Sequence, residues 1–227
     1  MESRQEQLLQ IIIDLYIDTA QPVGSKAISE GKLFNLSSAT IRNEMAELED
    51  AGFVFQPHTS AGRIPTEDGY QYYVENLIKI TKVDKKLQAR LKEIIEEEKS
   101  LRELAKGLAV SSQLAVYLGY DNKDYFYTGL SNLFGQPEFI AHELVNNISE
   151  AVDNLDEIIY NMFDEVSDKP QIFIGSRNPF GNYCSTILAK FKSKNKKGIL
   201  GILGPQRMDY NKNLALIKYS QEIIKGL

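Results

Sequence analysis

Asn43, Arg42 and Ala39 are the side chains of this sequence best suited to reading another molecule. An Asn amide pairs an acceptor with a donor and matches the major-groove edge of adenine. An Arg guanidinium forks onto guanine, and an Ala methyl meets the thymine methyl. All three lie in Ser37-Ser-Ala-Thr-Ile-Arg-Asn-Glu-Met, and at about 100° per residue Ile41, Met45 and Leu48 turn to the other side. The spacing predicts a helix over 37–51 that seals one face on a core. It leaves Ser38, Ala39, Thr40, Arg42 and Asn43 outside. Taken alone, an amphipathic helix with a merely solvated face would look the same.

Two neighbouring segments add to the chemistry. Ser37 or Ser38 caps the helix, which leaves amides at its N-terminus free for a phosphate, and Lys26 supplies a cation for the same purpose. Downstream, Gln56-Pro-His-Thr-Ser-Ala-Gly-Arg is a small, polar tip that ends on a cation. His58, Thr59 and Ser60 are candidate backbone contacts, and Arg63 is placed to enter a minor groove, where negative potential is strongest. His58 reads equally well as a plain surface histidine.

The elements that must hold these residues are short. Leu8, Ile11, Ile12, Leu15 and Tyr16 form a helical stripe over 4–19, and Gln21-Pro22 ends it. Ser25–Glu30 reads as a second helix with Ser25 as its cap, and Gly52 stops the third. Phe53–Gln56 is a brief β run, Pro57–Arg63 a turn, and Thr66 opens a further helix to about Ile80. Three short helices followed by a β-hairpin is the plan of a winged helix-turn-helix, whose recognition helix lies in the major groove.

Beyond Asp84 the chain is charged and helical to Gly107. Leu87, Leu91, Ile94, Glu98, Leu101, Ala105 and Leu108 follow a heptad spacing, which suits either a dimerisation seam or packing within the chain. Then the period changes. Strands are expected at 114–119, 125–130, 171–174, 185–191 and 198–203, with helices over 137–163 and 210–225. The expected layout is therefore a DNA-binding unit over 1–80, a linker or dimerisation helix over 81–110, and a small α+β domain over 111–227.

Composition sets bounds. The 227 residues carry a net charge of −5, and residues 1–80 alone contribute −6, so any phosphate contact must be a local basic patch. No apolar run approaches the roughly 20 residues of a membrane span, MESRQEQLLQ is too polar for a signal peptide, and one cysteine, Cys184, forms no internal disulfide. A cytoplasmic protein is expected. Two histidines and one cysteine show no zinc spacing, and no phosphate-binding glycine loop is visible. Cys184 has no nearby histidine and reads as a core thiol, Lys192–Lys197 as a solubilising hairpin tip, and Arg207 and Asp209 as local pairing partners. No cofactor and no catalytic role are expected.

The stretches Pro22-Val-Gly-Ser-Lys, Ser37-Ser-Ala-Thr-Ile-Arg-Asn-Glu-Met, Gln56-Pro-His-Thr-Ser-Ala-Gly-Arg-Ile-Pro-Thr and Gly69-Tyr-Gln-Tyr-Tyr-Val resemble the HrcA family of heat-inducible transcription repressors. So do Gly129-Leu-Ser-Asn-Leu, Gln136-Pro-Glu-Phe and Gly201-Ile-Leu-Gly-Pro-Gln-Arg-Met-Asp-Tyr. The resemblance implies a winged helix, a GAF-like domain and a dimerising segment inserted in the latter. It implies a homodimer that binds an inverted repeat in duplex DNA upstream of chaperone operons, with the chaperonin GroEL as co-regulator. This chain is roughly a hundred residues short of that pattern, and the gap falls between Tyr120 and Tyr125. The GAF-like domain is therefore expected in reduced form. A ligand-sensing regulator, in which that domain binds a small molecule, is the alternative.

Overall fold

The structure is a computed structural model that describes residues 1–98, 100–120, 124–140, 155–194 and 196–226. The chain folds into two compact units, Met1–Ile78 and Lys79–Leu227. Among the described residues no helix is long and apolar enough to cross a membrane.

In the first unit α1 spans Ser3–Thr19, α2 Ser25–Glu30 and α3 Ser38–Asp50. Leu8, Leu9, Ile12 and Ile13 are the buried stripe of α1, one step round the helix from the expected one. They meet Ile28, Ile41, Met45, Leu48, Val54, Tyr70 and Tyr73 in a shared core. Each large apolar side chain buried there contributes about 1.5–3 kcal/mol, which is what holds helices this short in place. Gly24, not Ser25, caps α2; Ser25 is its first residue and is buried.

After α3, Gly52 takes φ +82°, a left-handed turn that suits glycine, and leads into β1, Val54–Phe55. Antiparallel β2, Ile64–Pro65, closes a two-stranded ribbon. The chain between α1 and α2 adds a third line to it, because Val23 and Arg63 exchange both backbone hydrogen bonds at 2.9 Å. α4, Glu67–Tyr72, starts from Thr66, whose hydroxyl accepts the Gly69 N–H and donates to the Gly52 carbonyl. The expected helix to Ile80 is shorter: it widens into a π turn at Tyr73–Leu77 and ends at Ile78. The Tyr72 and Tyr73 hydroxyls reach back to Glu6 and Asp14 of α1. The Glu6 carboxylate that accepts the Tyr72 proton pushes that phenol up from its ordinary pKa.

The second unit is built on a five-stranded antiparallel sheet of order β4-β3-β7-β6-β5: β3 Ala115–Tyr120, β4 Tyr125–Thr128, β5 Gln171–Ile174, β6 Cys184–Lys192 and β7 Lys197–Pro205. One face carries Tyr117, Leu188, Ile199 and Leu203, and these pack with Leu133 of α7 (Leu130–Phe134) and Ile159 and Met162 of α8 (Leu155–Glu165). Alternation turns Ile187 and Ala189 to the other face, where α9, Tyr210–Lys225, lies on β6. The expected strand over 125–130 ends at Thr128, because Gly129 at φ +77° swings the chain into α7. The expected helix over 137–163 is a 3₁₀ turn at Pro137–Ile140 and, later, α8; its middle lies outside the described residues.

The expected single helix over 81–110 is two, α5 Lys85–Glu98 and α6 Leu101–Ser112, the second freshly capped by Ser100. They pack on each other so closely that a methyl on Gly107 would stand 3.0 Å from Ile94 and 3.2 Å from Leu91. Leu91, Ile95, Leu104, Ala105 and Leu108 are buried within the unit, and Tyr219 of α9 donates to the Gln88 carbonyl. The heptad spacing thus marks a seam inside the chain; a polar step at Ser100 breaks the rod that a coiled coil would need.

Candidate nucleic-acid interface

α3 turns Ile41, Glu44, Met45 and Leu48 inward. Ala39, Arg42, Asn43, Ala46 and Glu47 are exposed on its outer side. Its start is fixed by Ser37, whose hydroxyl accepts the Thr40 N–H at 3.1 Å and lies 2.9 Å from the Thr40 hydroxyl. Ser38 faces inward in part: its hydroxyl lies 3.0 Å from that of buried Ser25 and ties α3 to α2. Ser38 therefore holds the helix pair together and does not project with its neighbours.

Glu44 is the group on this helix that sequence reading missed, although its position three after Ile41 and four before Leu48 puts it on the buried face. Its carboxylate is 5% exposed and pairs with Arg4 of α1. Beside it, Gln5 donates to Glu47 at 3.0 Å. The first turn of α1 thereby grips the middle of α3.

The ribbon tip is built from small residues. His58, Thr59 and Ser60 are exposed, the His58 carbonyl accepts the Ala61 N–H at 2.8 Å, and Gln56 bridges the loop by donating to the Ala61 carbonyl at 2.9 Å. Gly62 has no room for a side chain: a methyl there would sit 2.3 Å from the Val23 carbonyl carbon and oxygen. Arg63 does not sit at the tip. It stands at the ribbon base with its side chain 13% exposed, paired to Glu49 of α3 at 2.7 Å. Without DNA its guanidinium is held within the fold by that carboxylate, at the edge of the groove that α2, α3 and the ribbon enclose.

A groove of about 460 Å³ separates α2, the outer side of α3 and the ribbon, with Lys26, Arg42, Ser60, Gly62 and Arg63 along its walls. Lys26 is 79% exposed and lies 3.6 Å from Glu30, a distance and exposure at which the pair restrains it little. So the residues picked from sequence fall in three places. Ala39, Arg42 and Asn43 share the outer face of α3; Lys26, Thr59 and Ser60 flank the groove, with His58 exposed beside them on the ribbon tip; Ser37, Ser38, Thr40 and Arg63 hold the helix start and the ribbon base in place.

The first unit thus presents an exposed helix face beside a short ribbon, and the second is an α+β unit. The family model for the HrcA protein C terminal domain matches residues 73–214. The chain belongs to the HrcA family. The heat-inducible transcription repressor HrcA of Lachnoclostridium phytofermentans is 44% identical over 117 residues, which cover 51% of this chain and 34% of that protein. The protein of the same name from Halalkalibacterium halodurans is 26% identical over 336 aligned positions, covering all of this chain and 98% of the relative. Roughly a hundred positions of that alignment have no residue here, which accords with the shortfall read from sequence. Among solved structures, a chain described as a hypothetical protein, determined at 2.2 Å resolution, superposes with a TM-score of 0.77 at 18% identity, covering all of this chain and 97% of that one, a likeness of fold.

Proposed function

We propose that the protein is a repressor of chaperone genes that binds an inverted repeat in duplex DNA as a homodimer and lets go on heat stress. Residues 1–78 act as a winged helix, with α3 in the major groove and the 56–63 ribbon as the wing, and the second unit is a reduced GAF-like domain. The observation that carries this reading is the outer face of α3: Ala39, Arg42 and Asn43 stand exposed together on the side opposite its buried stripe, next to a groove edged by Lys26. Small residues let the backbone approach base edges, Arg42 and Asn43 offer the forked pairings that discriminate bases, and the neighbouring cation meets phosphate. The acidic balance of residues 1–80 fits a protein whose non-specific affinity is low and whose binding depends on these local contacts. The operator class and the chaperonin as partner rest on the resemblance read from the sequence motifs.

Selection of bound sequences from a random duplex pool tests the reading. Enrichment of a two-fold symmetric repeat is expected. An unenriched pool, with binding that depends on salt and not on sequence, would refute it.

A further inference from the structure

We infer that Glu49 and Arg63 form a positioning pair that sets the pose of the ribbon against α3, and that Arg63 acts through this pair and not by touching a phosphate. The inference rests on the DNA-binding reading above and assigns a role within it.

One carboxylate holds both arms of the ribbon. A Glu49 oxygen accepts the backbone N–H of Gln56, the residue after β1, at 2.9 Å. Its other oxygen takes the guanidinium of Arg63, the residue before β2, at 2.7 Å. Arg63 is also pinned by its backbone, which exchanges two hydrogen bonds with Val23, and Gln56 closes the loop above through its amide to Ala61. The six residues of the tip, 57–62, thus leave a base fixed to α3 on one side and to the α1–α2 connection on the other.

The position of Glu49 needs an account. It lies in the last turn of α3, among Glu47 and Asp50, where the negative end of the helix dipole disfavours an acid. Arg63 and the Gln56 N–H offset that cost, and the pair is half-shielded from water, where a charge-assisted bond is firmer than at an open surface. For Arg63 to reach a phosphate it would have to abandon this carboxylate, while Arg42 is exposed and Lys26, 79% exposed, gives up only an open surface pair with Glu30 to turn toward one. A recognition helix and a wing read one duplex only if their separation is fixed in advance, since each bound rotamer or loop otherwise costs affinity.

The test uses the full chain, the duplex enriched by selection, and a scrambled duplex. Glu49→Gln keeps an acceptor for Gln56 and removes the charge; Arg63→Lys keeps a charge and removes the fork; Lys26→Ala is the phosphate-contact comparison. Affinity is measured across salt concentration, with hydroxyl-radical footprints at saturation and thermal melts as the folding control. Glu49→Gln and Arg63→Lys should each weaken the selected duplex about tenfold with the salt slope unchanged. They should lose protection at the nucleotides under the ribbon while those under α3 stay protected. Lys26→Ala should weaken both duplexes and lower the slope by about one. If Glu49→Gln binds more tightly with a steeper slope, Arg63 is a phosphate contact that Glu49 restrains, and the inference is overturned. Unchanged affinity and footprint in both variants overturn it as well. Should Glu49→Gln fail to fold, Arg63→Lys decides by the same readings. A wild-type protein that does not tell the two duplexes apart removes the DNA reading itself, and the pair's role falls with it.

Discussion

Gly62→Ala is the sharpest perturbation of the ribbon. The added methyl would stand 2.3 Å from the carbonyl carbon and oxygen of Val23 and 2.7 Å from the nitrogen of Gly24. These are backbone atoms, so no rotamer change relieves the clash, and the two chain segments must part. Parting them breaks both hydrogen bonds of the Val23–Arg63 bridge, each 2.9 Å long. At about 0.5–1.5 kcal/mol per bond the loss is about 1–3 kcal/mol, before any loosening of the Arg63–Glu49 pair is counted. For a unit of this size that lowers the melting temperature by about 5–20 °C. Gly24→Ala is the matched control: a methyl there meets nothing within 4 Å, and only the exchange of one N-cap residue for another is felt, below about 1 kcal/mol. Calorimetry gives the stability, and hydrogen exchange at the Val23 and Arg63 amides locates the damage. A Gly62→Ala protein that melts with the wild type and keeps both amides protected would show that the close approach does not exist.

Asn43→Ala should cost about 1–3 kcal/mol at the selected site and relax the preference at one base pair, with melting unchanged because the side chain is exposed; an unaltered preference profile in competition binding would contradict it. Leu91, fully buried between α5, α6 and α9, should cost about 2–5 kcal/mol as Ala, and Leu91→Glu should unfold the second unit; light scattering that finds a folded monomer for Leu91→Glu would instead make the seam a subunit contact. Burial pushes the Cys184 thiol from its ordinary 9.0 to about 12. Below pH 9 folded and unfolded thiols both keep the proton; as pH rises beyond that the unfolded chain releases it first, so this group's contribution to stability is lost with rising pH. Mass spectrometry after iodoacetamide treatment should therefore find Cys184 unlabelled in the native protein and labelled on heating, and rapid native labelling would refute its burial.

The helices of the first unit were legible because period and punctuation agree. Ile41, Met45 and Leu48 fix the inner face of α3, Ser37 its start and Gly52 its end, and the strand pair of the ribbon follows from its flanking turn residues. The contacts that set the site were not legible. Val23 and Arg63 pair across 40 residues of chain, and no local pattern announces a bridge of one residue pair. Arg63 looked like a tip cation because sequence shows its neighbours along the chain and not the Glu49 carboxylate across the fold. Glu49 did leave a trace, an acid at the wrong end of a helix, and Glu44 left another, an acid on an apolar stripe. The heptad over 87–108 left two readings open for a related reason: a stripe every three or four residues states which side is buried and says nothing of what buries it.

The missing stretch, placed by the sequence between Tyr120 and Tyr125, falls at the end of a paired ladder. β3 and β4 run antiparallel in register, Val116 opposite Thr128 through Gly119 opposite Tyr125, and the Tyr120 N–H still reaches the Asp124 carbonyl at 2.9 Å. A ladder closed in this way draws nothing from an insertion at its end, and shortening the connection lowers the entropy of closure. The β3–β7 ladder, from Ala115 opposite Leu203 to Tyr120 opposite Gly198, then fixes β3 from its other side. Among the described residues the five strands thus pair continuously past the point where the family resemblance places the dimerising segment. An inverted-repeat operator nonetheless demands a two-fold pair of reading heads, because half-site spacing mirrors protein symmetry. For the operator-binding dimer proposed above, with Leu91, Ala105 and Leu108 buried within the second unit, the symmetric contact would fall to a surface that the sequence periodicity does not mark.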